Sequence, residues 1–175
     1  MTERRVGRDK TTSRVIAVAL AFLAALAVLA TPAAAQTDVM GQLDGIRQSA
    51  VAAYNARSWG EAAGAADSYA GTLEAAGLPR AGADYALVAF IGGHARFEMW
   101  KQDPDAFRYD FDADVLGAMH ESLQILQDDP FFKHNVLGTA YYERLVHDDY
   151  RNLDAENAAN WHLTKALLAR AEELE

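Results

Sequence analysis

Cysteine is absent from all 175 residues. That excludes disulfide staples, thiolate metal sites, cysteine nucleophiles and a lipid anchor on an N-terminal cysteine. Strict apolar/polar alternation and runs of β-branched residues are also missing, so no segment reads as a strand. The chain has no Gly-x-Ser-x-Gly elbow and no glycine-rich loop followed by lysine, which removes the sequence signs of an activated serine or a phosphate cradle. Proline is scarce, four in all. Three of them, Pro79, Pro104 and Pro130, fall where helical spacing breaks off.

The N-terminus shows a basic stretch (Arg4, Arg5, Arg8, Lys10, Arg14), an apolar run from Val15 to Ala30, and small residues at Ala33 and Ala35. This is the layout of an export leader, with cleavage expected before Gln36. The competing reading is a retained membrane anchor, because a span of about 20 residues crosses a bilayer; Pro32 and the alanine-rich run favour removal. The pair Arg4-Arg5 lacks the apolar residues expected after a twin-arginine signal. Of the 16 basic and 25 acidic residues, 5 and 2 precede Gln36, leaving 11 against 23, a formal charge of −12. Such a charge repels nucleic acid and anionic lipid, so neither is an expected partner.

From Gln36 to Glu175 the apolar spacing is helical and the expected fold is all-α, a single domain. Val39, Leu43, Ile46, Ala50 and Ala53 line one face of a first helix. A second is expected from Ser58, with Glu61 completing a capping box. It buries Trp59, Ala62, Ala66, Tyr69 and Leu73 and stops at Gly77 and Pro79. The third carries Ala86, Phe90, Gly93, Phe97 and Trp100 and ends at Asp103-Pro104. Gly92-Gly93 within it points to close packing against another helix. The fourth presents Leu116, Met119, Leu123 and Leu126 and is expected to close at Pro130. The fifth carries Val136, Leu137, Ala140, Tyr141 and Leu145. A sixth is expected from the cap Asp154, burying Ala159, Leu163, Ala166 and Leu167. Six helices on short links make three consecutive antiparallel pairs.

Leu137-Gly138-Thr139-Ala140-Tyr141-Tyr142 resembles the first helix of a tetratricopeptide repeat. In that family the Leu-Gly pair admits a neighbouring helix, which offsets the cost of a mid-helix glycine, about 1 kcal/mol against alanine. Ala118, Ile125-Leu126 and Pro130 resemble the second helix of such a repeat, as do Ala159 and Ala166-Leu167. Trp59-Gly60-Glu61-Ala62 resembles the step into it. The segments from Asp103 to Asp112 and from His147 to Leu153 depart from the family's tight turns. The resemblance implies a divergent, right-handed solenoid whose concave face, lined chiefly by first helices, binds a protein or peptide without cofactor or catalysis. A compact bundle of alanine-rich helices meets the same spacing. Arg96, Asn135, Tyr142 and Glu143, polar residues off the buried stripes of the third and fifth helices, are the candidate partner-binding residues. The competing reading makes them ordinary solvated side chains.

Asp110, Asp112 and Asp114, with Glu121 eleven residues after Asp110, are similar to a calcium loop, but Val115 stands where that loop needs glycine for its turn. Acidic caps at a helix start account for them. Of the five histidines only His94 has a carboxylate, Glu98, one turn away, and two donors do not make a zinc site. Trp100, Phe107, Tyr109 and Phe111 surround the acidic segment, either as a recognition loop or as a cover for the end of the helices. The function expected is therefore a periplasmic or secreted, non-enzymatic scaffold for a protein or peptide, free of the membrane once the leader is removed and with no metal site. A small-ligand or metal-binding helical protein using His94, Glu98 and the acidic loop is the alternative, and an enzyme of unknown reaction a weaker third.

Overall fold

The computed structural model describes residues 37–148, 151 and 153–174. The leader and its cleavage point before Gln36 lie outside them. The described residues are all-α: α1 (37–55), α2 (Trp59–Ala75), α3 (Ala83–Gln102), a π-helical turn (Phe111–Gly117) running into α4 (Ala118–Ile125), α5 (Pro130–His147) and α6 (Leu153–Glu172). No strand occurs among them. The packing described below is that of the unit Leu43–Glu175.

Local signals set most boundaries. Gly77, at φ +65, ends α2 by donating to the Glu74 carbonyl while Leu78 donates to Leu73, the pair of bonds that closes a helix through a left-handed glycine. Ser58 sits at the N-cap of α2, but its side chain makes no cap bond, so the capping box with Glu61 is not formed. Asp110 caps the π turn: its carboxylate accepts from Ala113 N at 2.8 Å, while Asp114 reaches back to Asp110 N at 2.9 Å. The acidic segment thus serves its own backbone. Pro130 does not close α4, which ends at Ile125; it opens α5. A proline in the first turn gives up an N–H that has no helical partner anyway. Asp129 caps α5 by accepting from Phe132 N at 3.2 Å. Asp154 lies inside the first turn of α6 and is not its cap.

The expected stripes are buried in α2 from Ala62 to Leu73 and in α3 throughout. α3 is covered on nearly all sides, with Tyr85, Val88, Ile91 and Ala95 buried as well, so it forms the centre of the core. Phe90, Phe97 and Trp100 pack with Phe111 and Val115 of the π turn, Met119 and Leu123 of α4, and Val136, Leu137 and Ala140 of α5. Trp100 and Phe111 meet edge to face at 4.8 Å and Phe107 packs against the same cluster. These rings therefore cover the end of the helices. Each element packs mainly on its sequence neighbours: α2 on α3, α3 on the π turn and α4, and α5 on α6.

Two glycine sites permit the closest approaches. A Cβ on Gly92 would stand 2.6 Å from the Cβ of Ala66 in α2, and one on Gly93 would stand 2.8 Å from Met119 Cγ and 2.9 Å from the Val115 carbonyl oxygen. Gly138 meets α6 in the same way, with Leu163 at 2.9 Å. Gly93→Ala is expected to lower the urea-unfolding free energy by about 1–3 kcal/mol, because overpacking against a fixed carbonyl outweighs the gain in helix propensity. Gly64→Ala, with nothing within 4 Å, is expected to raise it by up to about 1 kcal/mol.

Candidate functional site

The four residues expected at a partner surface divide into two groups. Asn135 and Tyr142 are exposed and Glu143 is half-buried. All three belong to one longitudinal face of α5 that also carries Phe132, Thr139 and Val146, at spacings of three, four and seven. Large apolar groups are open to solvent on it: Phe132 is 37% exposed, Tyr142 46% and Val146 38%.

At its N-terminal end this face joins α3 and α1 through aromatic contacts. The Phe132 ring lies 5.7 Å from Phe90 and 5.9 Å from His94. The Tyr54 hydroxyl of α1 lies 2.5 Å from His94 Nδ1, and His94 Nε2 faces the Glu98 carboxylate at 3.4 Å. A carboxylate only accepts, so the imidazole proton sits on Nε2 and Nδ1 receives the Tyr54 O–H. Burial holds His94 below the ordinary histidine range, against the pull of Glu98 in the other direction. Burial, followed by the charge of Glu98, pushes Tyr54 up to about 12. Lys101 pairs with Glu98, so the carboxylate expected to serve a metal already has two partners. Among the described residues no three His, Asp or Glu side chains converge on a point able to hold a metal.

Arg96 is the correction. It was expected off the buried stripe, yet it is only 6% exposed. Its guanidinium pairs with Asp67 of α2, donates to the Asp114 carbonyl at 3.2 Å and lies 4.8 Å above the Tyr109 ring, while its Nε has no partner. The missing side chain of Gly92 one turn earlier leaves it room, since a Cβ there would come within 3.1 Å of its Nη1. Arg96 thus joins α2, α3 and the π turn.

A second cluster has no counterpart in the sequence reading. His120 of α4, His134 of α5 and His162 of α6 gather with Tyr141 and Trp161. His134 Nδ1 and His162 Nδ1 are 2.9 Å apart, one donating and one accepting. His120 Nε2 is 2.7 Å from the Tyr141 hydroxyl, and the His162 ring lies 5.0 Å from His120 and stacks on Tyr141 at 5.8 Å. Burial, then the neighbouring His120 and His134, holds His162 down to about 3. Burial lowers His120 and His134 as well. Its one sequence sign was that His162 falls on the Ala159–Ala166 stripe, in a place where a hydrophobic residue would otherwise pack. Pairing across three helices has no signature in local spacing.

Comparison with protein-family models, curated proteins and solved structures returns no match. The fold and the surface therefore define a class only: an all-α protein of sequentially packed helices with an aromatic-flanked, open face on α5. No helix among the described residues is long and apolar enough to cross a membrane.

Two predictions follow from these side chains. Arg96→Ala is expected to cost about 2 kcal/mol in urea unfolding through lost charge-assisted hydrogen bonds. Arg96→Lys is not expected to recover it, because an ammonium lacks the planar fork that serves two acceptors. For His94, His120, His134 and His162 the folded pKa lies below the unfolded value of about 6.5, so the folded state binds fewer protons in acid. Their contribution is complete above about pH 6.5 and declines as pH falls below it, by up to about 1.4 kcal/mol per pH unit for His162 alone. Unfolding free energies measured across this window should show that slope, and His162→Phe should flatten it.

Proposed function

We propose that this protein is an exported, non-enzymatic helical scaffold that binds a protein or peptide partner along α5. The observation that carries the reading is the open α5 face, where Phe132, Tyr142 and Val146 expose apolar area alongside the polar groups of Asn135 and Glu143. Aromatic and apolar anchors beside hydrogen-bonding groups are what a peptide-binding surface supplies. The resemblance of Leu137 to Tyr142 to the first helix of a tetratricopeptide repeat supports the same reading, since first helices present the binding groove in that family. The contact of α1, α3 and α5 side chains at Tyr54, His94 and Phe132 is consistent with it. The basic stretch and apolar run before Gln36 support export to the periplasm or the medium. The acidic balance after Gln36 favours a partner carrying basic residues.

Selection of peptides from a random library against the exported protein tests this. The selected peptides are expected to lose binding about tenfold or more to Tyr142→Asp and Asn135→Ala, and to keep it with a Gln124→Ala control, which lies on α4. Peptides indifferent to the α5 substitutions, or no selectable peptide at all, would count against the reading. Intact mass of the protein recovered from an exporting host, with Gln36 as the expected first residue, tests the leader separately.

A further inference from the structure

α6 is held to the rest of the unit almost entirely through α5. Its large apolar side chains do not make that contact, since Trp161, Leu167 and Leu168 are all exposed. Among the described side chains of α6 the buried ones are Ala155, Ala159, His162 and Ala166, with Leu163 partly buried over Gly138. Three alanine methyl groups keep little apolar area from water. His162 is therefore the one large side chain among them that α6 buries whole, and the docking of the helix turns on what His162 meets.

It meets His134 of α5, Nδ1 to Nδ1 at 2.9 Å, a bond in which one imidazole donates and the other accepts. Once both rings are charged, N–H faces N–H, the bond is lost and two positive charges stand side by side. The other groups facing the pair do not offset that charge. From α4 comes His120, its ring 5.0 Å from His162; from α5 comes Tyr141, stacked on His162 and bonded to His120; from α6 itself comes Lys165, whose charge weighs on His134. The carboxylates of Asp112 and Asp154, with Arg144, border a groove that reaches His120 and Tyr141 but not His134 or His162. Glu172 shares the groove of the pair, yet stands ten residues along α6 from His162, about 15 Å of helix. Burial adds to the effect, because it disfavours the charged form of all three histidines.

We infer that the His134–His162 contact is an acid-released latch, through which α6 leaves α5 as a unit while α2, α3, α4 and α5 stay packed. The docked helix excludes protons that the released imidazoles take up near their ordinary value of about 6.5. Docking is therefore complete above that pH and weakens as pH falls below it. The core does not share this dependence on α6, because α3 is covered by α2, the π turn and α4, and α5 reaches it through Val136, Leu137 and Ala140. Release bares the Gly138 side of α5, which Leu163 closes at neutral pH. It leaves the Asn135 and Tyr142 face as it was, so the latch and the proposed partner binding are independent.

Hydrogen exchange of the full chain, followed in α6 and α3 from about pH 7 to about pH 5 and repeated in low urea, tests this once rates are corrected for intrinsic exchange at each pH. Expected is an α6 opening of its own, weakly dependent on urea. Its equilibrium constant should rise as pH falls, by up to about tenfold per pH unit for each histidine released. α3 should exchange only with the whole unit and depend steeply on urea. His162→Gln and His134→Gln each keep a hydrogen-bonding side chain and remove one titrating group, so each is expected to take up to about a factor of ten per pH unit out of the α6 response. One opening shared by α6 and α3 at every pH overturns the inference. So does an α6 opening that ignores pH, or the full native response in the glutamine variants. Should one variant fail to fold, the other and the native profile still decide.

Discussion

The structure depends on the approach of α3 to its neighbours at Gly92 and Gly93. Successive residues on a helix point about 100° apart, so adjacent glycines open two faces of α3 at one level. Gly92 admits Ala66 of α2, and Gly93 admits Met119 and the Val115 carbonyl at the junction of the π turn and α4. A helix held this closely on two sides is buried almost all round, which is why its apolar residues do not stay on one stripe.

Arg96 is a product of the same approach. The space above Gly92 lets a guanidinium lie flat between α2 and the π turn, where Asp67, the Asp114 carbonyl and the Tyr109 ring receive it. The π turn in turn is anchored by the reciprocal bonds of Asp110 and Asp114 and by Phe111 in the core. One charged residue and one cap thereby fix the irregular connection that sequence spacing leaves as a polar loop.

The C-terminal helices divide their work by face. α5 turns Gly138 and His134 toward α6, Leu137 and Ala140 toward the core, and Asn135 and Tyr142 to solvent. α6 places His162 inside and Trp161 outside, one residue apart. The clustered histidines bring a pH-dependent term to the α4–α5–α6 contact, because burial disfavours the charged form of all three, with Lys165 and His120 adding to it at His134 and His120 and His134 adding to it at His162. The two outer faces differ as well: α5 mixes apolar and polar groups, whereas α6 exposes Trp161 and Leu168.

The residues by themselves determined the all-α class, the six α-helices among the described residues and most of the buried positions, because these follow from three-and-four spacing and from glycine, proline and caps acting within a few residues. They also placed Asn135 and Tyr142 on an exposed face, since neither falls on an apolar stripe. Local spacing failed where the outcome depended on a distant partner. Arg96 reads as a surface residue until Asp67 and Asp114 are brought to it, and Leu167 reads as core yet is 70% exposed, because His162 takes the inward place beside Ala159 and Ala166. Pro130 reads equally well as a stop or a start, and Asp129 decides it by capping α5. The histidine cluster, drawn from three helices with His134 at position +14 from His120 and His162 at +28 from His134, exists only once those helices pack. Periodicity reports which side of a helix is buried, and only the tertiary structure decides what it is buried against.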